Sequence, residues 1–177
     1  VRNTAPGQQA RGDQDIRFFG GQLRVAHAFE RGSWYLKPRT DLSLTYVDSD
    51  SLDEDGGGPT ALAVEGDDEL YAALQPALEL GGEFEAADGY LLRPRLSLGL
   101  THFLADPSPE AEASFLAVPA GSSGFKVKSE IERTSLDLEI GLDVLSGGGV
   151  NVGLSGFSQF AKDQTHLGGA MRLTVPF

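Results

Sequence analysis

The stretch from Leu136 to Val144 constrains this chain more than any other feature. Leu136, Leu138, Ile140, Leu142 and Val144 alternate with Asp137, Glu139, Gly141 and Asp143. Side chains on a β-strand point to opposite faces in turn, so such a strand has one aliphatic face and one that is acidic or bare. The same repeat returns along the chain. Leu92, Pro94, Leu96, Leu98 and Leu100 oppose Arg93, Arg95, Ser97, Gly99 and Thr101. Over 70–84, Leu70, Ala72, Leu74, Pro76, Leu78, Leu80 and Phe84 oppose Tyr71, Gln75 and Glu79. Over 34–46, Trp34, Leu36, Pro38, Leu42, Leu44 and Tyr46 oppose Lys37, Arg39, Asp41 and Ser43. Weaker patterns at about 17–29, 150–160 and 167–177 bring the expectation to seven strands. Helical periodicity is nearly absent.

The connectors sort into two kinds. Glu30–Ser33, Glu85–Gly89 and Ser146–Gly149 are tight and carry glycine for turns that need positive φ. They alternate with the long stretches Val47–Glu69 and Ala105–Thr134 and a polar connector at Lys162–His166. Short turns on one side and long loops on the other are what a meander of outer-membrane strands shows. Pro38, Pro76 and Pro94 fall inside strands, and are expected near the short-turn ends, where a ladder bond can be lost.

Which way the aliphatic face looks decides the fold. In a soluble barrel it turns inward; in a membrane barrel it meets lipid and the charged face lines the interior. Two signals favour the second arrangement. Phe29, Trp34, Phe84 and Tyr90 fall where strands meet the short turns, on the aliphatic face, as in an aromatic girdle at a lipid boundary. The other face carries Lys37, Arg39, Asp41, Glu79, Arg93, Arg95, Asp137, Glu139, Asp143 and Arg172, a mixed set suited to a wet lumen. The fold expected is an all-β, antiparallel up-and-down transmembrane β-barrel.

Composition narrows the remaining classes. The 177 residues include 23 Gly and no Cys, which excludes disulfide scaffolds, thiol catalysis and cysteine zinc sites. A net charge of −12 argues against nucleic acid as partner. No apolar run reaches the ~18 residues of a spanning helix, which leaves barrel strands untouched. The chain opens on Val1 and has one Met, Met171, so it reads as part of a longer precursor.

Few residues invite catalytic or metal chemistry. His27, His102 and His166 lack partners at helical spacing, and interfacial or loop histidines are the simpler account. The acidic connector 48–69 faintly suggests a calcium loop in Asp48-Ser-Asp50-Ser and Asp53-Glu-Asp-Gly-Gly-Gly58 but lacks regular ligand spacing. Arg11-Gly12-Asp13 is an integrin-type tripeptide of a kind that recurs by chance. Ser155 and Ser158 have no partnered base and read as lumen-facing strand serines. Asp137, Glu139 and Asp143 are expected to pair with Arg93 and Arg95 on a neighbouring strand rather than to poise an acid. Neither cofactor, metal nor enzymatic activity is expected.

The last residues strengthen the membrane reading. Gly169, Met171, Leu173, Val175 and Phe177 alternate, and the chain ends on the aromatic. This resembles the terminal strand that the barrel-assembly machinery recognises. Gly20-Gly-Gln-Leu-Arg-Val-Ala-His, the run from Tyr35 to Tyr46, the run from Leu92 to His102 and the C-terminal strand together resemble the autotransporter β-domain, across nearly all of 16–177. That resemblance implies strands six to twelve of a twelve-stranded barrel. It implies a pore helix and an exported passenger upstream, outer-membrane lipid as surroundings, and long loops on the cell surface. Residues 1–15 then read as an extracellular loop or linker remnant and 16–177 as the partial barrel. A translocator and anchor for type V secretion is the function expected, with a porin or small-solute channel, and then a soluble ligand-binding β-barrel, as alternatives.

Overall fold

The computed structural model describes residues 1–5, 8–117 and 124–176. Seven long strands follow one another: β1 (Ile16–Ala26), β2 (Trp34–Ser49), β3 (Asp67–Gly82), β4 (Leu91–Phe103), β5 (Thr134–Leu145), β6 (Asn151–Phe160) and β7 (Thr165–Thr174). Spatial order equals chain order, with β1 and β7 at the ends of the sheet path. Only two 3-10 turns, Gly58–Thr60 and Ala87–Gly89, interrupt an otherwise all-β set of described residues. No helix among them is long and apolar enough to cross a membrane.

Constant register preserves the two faces from strand to strand. The β4–β5 ladder runs from Leu91↔Leu145 to His102↔Thr134, β5–β6 from Leu136↔Phe160 to Leu145↔Asn151, and β6–β7 from Asn151↔Thr174 to Phe160↔Thr165, each without a shift. A one-residue slip would exchange leucines for carboxylates, so the pattern itself fixes the pairing. The β3–β4 ladder runs from Arg95↔Gly81 to Gly99↔Ala77 and resumes in the same register at His102↔Leu74. The gap faces Pro76, which has no N–H to give. Pro76 therefore interrupts the ladder within β3, not at a strand end as its neighbours' pattern suggests. The tight connectors turn on glycines at positive φ, Gly32 (60°) in the first and Gly149 (84°) in the last.

The chain divides into two compact units. One comprises Gln22–Ser43, Ala72–Leu104 and Glu132–Phe177. Its aliphatic face is open: Leu98 is 52% exposed, Ile140 55% and Leu173 59%. Its polar face is covered, with Asp41 at 4% and Glu79 at 8%. Register also assigns Ser158 to the aliphatic face, opposite Leu138 and Leu167, correcting the expectation of a lumen-facing serine. Phe157 takes the polar parity instead, between Glu139 and Gly168.

The other unit comprises Val1–Gly21, Leu44–Tyr71 and Ala105–Ile131. The two long connectors, expected as plain loops, are shorter than expected and paired. Leu52–Asp53, Leu62–Val64, Glu110–Phe115 and Phe125–Lys128 form a four-stranded antiparallel sheet. Segments of two to six residues show too little alternation to read, and Ala113↔Val64 pairs residues far apart in sequence. Arg2–Ala5 pairs with Gln8–Ala10, and Arg11 and Asp55 exchange backbone hydrogen bonds of 2.9 and 2.7 Å. Gly12 of the Arg-Gly-Asp tripeptide packs so closely that a Cβ would lie 2.3 Å from Leu52 Cδ1.

Phe157 is seated where Gly168 has no side chain, since a Cβ there would lie 2.2 Å from the ring. Gly168→Val is expected to unseat the ring and cost about 1–3 kcal/mol, as overpacking does. In Phe157→Ala the same replacement should cost little. Denaturant unfolding of the detergent-solubilised protein measures both; equal losses in the two backgrounds contradict the seat.

Candidate functional site: the polar face of the sheet

Period two places on one face every charged side chain singled out above, and cross-strand neighbours there lie close enough to bond. Between β1 and β2, Arg24 donates from Nε and Nη2 to the two oxygens of Asp41, at 2.6 and 3.0 Å. Between β2 and β3, Lys37 Nζ lies 2.6 Å from Glu79 Oε1, and the Tyr35 hydroxyl donates to the same oxygen at 2.7 Å. Tyr35 reaches it over Gly81, where a Cβ would collide with the phenol. Further along, Arg95 donates to Asp143 Oδ2 at 2.6 Å and lies 3.6 Å from Glu139. Arg93 instead pairs with Glu83, at 2.6 Å.

Neutral groups continue the network. Ser43 donates to Gln75, Gln75 to Thr101, Thr101 to Asp137 (2.6 Å) and Gln159 to Asp137 (3.0 Å), so one chain of hydrogen bonds runs from β2 to β6. Asp137 also accepts from Ser135. The expected pairing of these carboxylates with arginines thus holds for Asp143 and Glu139 with Arg95. Asp137 is satisfied by hydroxyls and an amide.

Two contacts skip a strand. Arg39 Nη2 on β2 reaches Ser97 Oγ on β4 at 3.5 Å, and Arg172 Nη2 on β7 donates to Asp143 Oδ1 on β5 at 3.3 Å. Strands two apart in a sheet are separated by roughly 9–10 Å. Long side chains bridge that gap where the polar face is concave and the strand between offers no obstacle. Gly153 stands in register between Asp143 and Arg172, and a Cβ on it would lie 2.6 Å from the carboxylate. The concavity holds a trough of about 350 Å³, lined in part by Gln22, Arg39, Asp41, Thr101, Glu139 and Gln159.

The other expected residues are more dispersed. Trp34 and Phe84 meet edge-on with ring centres 4.8 Å apart, and Phe29 meets His27 at 4.5 Å. Phe29, Trp34 and Tyr90 are exposed. Gly169, Met171 and Leu173 lie on the aliphatic face of β7, Met171 and Leu173 exposed; Val175 follows the strand and is exposed too. Phe177 lies outside the described residues. His102 Nδ1 lies 2.8 Å from Thr134 Oγ1.

The pattern of alternation also marked residues that were passed over. Arg24 and Gln22 oppose Leu23 and Val25, and parity alone puts them beside Asp41. Ser97, Thr101 and Ser135 are buried on this face, though small hydroxyls give no signal that they complete a network. Phe157 breaks the polar pattern, and only register shows where it sits.

The autotransporter β-domain family model matches residues 1–156. The chain belongs to that family. Autotransporter β-domains are translocator barrels of the outer membrane, not a family of enzymes, and carry an attached passenger. The matched span takes in residues 1–15 and ends at Gly156, so the likeness of the last strand to an assembly signal is additional to it. No curated protein matches the chain.

Titration is informative in the connectors of this β-domain. Lys128 beside Asp106 holds that carboxyl at about 2, with help from the Ser108 backbone and hydroxyl. Arg2 and the Leu62 amide lower Glu54, and Lys126 lowers Glu110.

Two outcomes are expected. Asp143→Asn leaves Arg95 and Arg172 facing each other without a counter-ion and should cost about 1–3 kcal/mol, a partly wet version of a broken buried pair; Arg95→Gln in the same protein should recover part of it, read by denaturant unfolding. Depressed carboxyl pKa values stabilise the folded connectors above their unfolded values of about 4, and that stabilisation is lost as pH falls toward about 2. Amide exchange over 52–64 and 110–128, corrected for intrinsic rates, should therefore accelerate between pH 4.5 and pH 2 and hold steady above; flat protection across that window contradicts the ion-pair account.

Proposed function

We propose that residues 16–177 are part of a translocator barrel that anchors an N-terminal passenger in the outer membrane and lets it reach the cell surface. Residues 1–15 belong to a surface loop or linker. The observation that carries this reading is the inverted distribution of side chains: Leu98, Ile140, Leu154 and Leu173 exposed, Asp41 and Glu79 covered. In hydrocarbon every backbone group must find a partner, and the long ladders supply those partners while leucines meet lipid. Lys37, Arg39, Asp41, Glu79, Arg93, Arg95, Asp137, Glu139, Asp143 and Arg172 then line a wet lumen that tolerates a threaded peptide. Phe29, Trp34, Phe84 and Tyr90 anchor one rim in the interface. Residues 169–177 are the strand read by the barrel-assembly machinery, and the connectors 47–69 and 105–134 face the cell exterior.

The reading is tested in cells producing the full-length protein. Externally added protease should remove the N-terminal passenger while leaving the barrel in the membrane fraction. Ile140→Arg should lower barrel stability by about 2–4 kcal/mol, the cost of a cation on a lipid-facing position near the midplane. A protein that stays monodisperse in water without detergent, with Ile140→Arg tolerated, returns the fold to a soluble barrel. An intact barrel whose passenger never becomes protease-accessible returns it to a channel.

A further inference from the structure

We propose that Arg39 is a docking point for a carboxylate carried by the polypeptide segment that occupies the trough. The inference rests on the translocator reading and adds the chemistry of the occupant. Five cations on this face or at its margin have carboxylate partners: Arg24 has Asp41, Lys37 has Glu79, Arg93 has Glu83, Arg95 has Asp143 and Glu139, and Arg172 shares Asp143. Arg39 differs. Asp41 and Glu79 lie within its field, but both Asp41 oxygens accept from Arg24, and Glu79 Oε1 is taken by Lys37 and Tyr35. What remains to Arg39 is one bond at the outer limit of length, 3.5 Å to Ser97 Oγ. Its Nε–H is buried without an acceptor among the described residues.

A guanidinium cannot shed its proton to escape this position, and its Nε and Nη2 donors form a fork matched to the two oxygens of a carboxylate. The trough around it offers Gln22, Gln75, Thr101 and Gln159, neutral groups that satisfy one another or a peptide backbone. Asp137, on the far wall, already accepts from three neutral donors and needs no ligand. The unmet demand is therefore for an acceptor at Arg39, and an Asp or Glu side chain on the occupying segment meets it with both oxygens. That segment is held by an ion pair that a passing chain can exchange, one carboxylate for another, without disturbing the pairs between strands.

The experiment uses the full-length protein in planar lipid bilayers, with Arg39→Gln, Arg39→Lys and Arg39→Glu beside the unaltered protein. Heat-dependent electrophoretic mobility checks that each barrel is folded, and passenger display in cells reads the translocator function separately. The unaltered pore should be mostly closed. Loss of a charge-assisted bidentate bond should raise the open fraction roughly 10-fold or more in Arg39→Gln, further in Arg39→Glu, and less in Arg39→Lys, which keeps the charge without the fork. Folded variants with the closed fraction unchanged overturn the proposal while leaving the translocator reading intact. An unaltered pore that is already open, with the variants shifting only its chloride and acetate selectivity, assigns Arg39 to small free anions and also overturns it. Should Arg39→Gln fail to fold, Arg39→Lys decides: an open fraction equal to that of the unaltered protein counts against the dock.

Discussion

Everything in this chain depends on keeping charge and hydrocarbon on opposite sides of one pleated surface. Backbone pairing between seven successive strands satisfies the peptide groups, and alternation then distributes side chains without further instruction. The ladders hold register over ten or more pairs, so a leucine on β4 stands beside leucines on β3 and β5, and a carboxylate stands beside a guanidinium. Burying charges is ordinarily a poor way to gain stability, because desolvation consumes most of the attraction. Here the charges occupy a concave trough, where they retain water and keep their partners. Stability comes from the ladders, and the ion pairs set which side faces in.

That division explains which features were legible in the sequence. Long strands such as β4 and β5 announce themselves, because five alternating aliphatic residues have no other economical placement. Their faces were legible too, and with them the company kept by Arg95, Glu139 and Asp143. The connectors were not. A sheet made of Leu52–Asp53, Leu62–Val64, Glu110–Phe115 and Phe125–Lys128 draws on four segments too short for periodicity, and its pairing spans some fifty residues. Ser158 and Phe157 show a different limit. β6 is rich in glycine and serine, and in such a strand parity is settled by neighbours, not by its own residues.

The network on the polar face also needed more than pattern. Charges can be counted along a strand, but Thr101, Ser135 and Gln159 become meaningful only once Asp137 is seen to rely on them. Arg39 is the converse case. Sequence places it correctly among cations of the polar face and gives no hint that its neighbours are already engaged.

The glycines of that face bear on how variation in such a domain should be weighed. Gly153 separates Asp143 from Arg172 by the width of a hydrogen atom, and Gly141 does the same service beside the Arg95 guanidinium. Replacing either by alanine alters no formal charge and adds a single methyl group. Its effect is nonetheless electrostatic, since the methyl intrudes on the space in which opposite charges meet. A tally of acidic and basic residues scores such a change as silent, although it acts on the same bond as removing the aspartate.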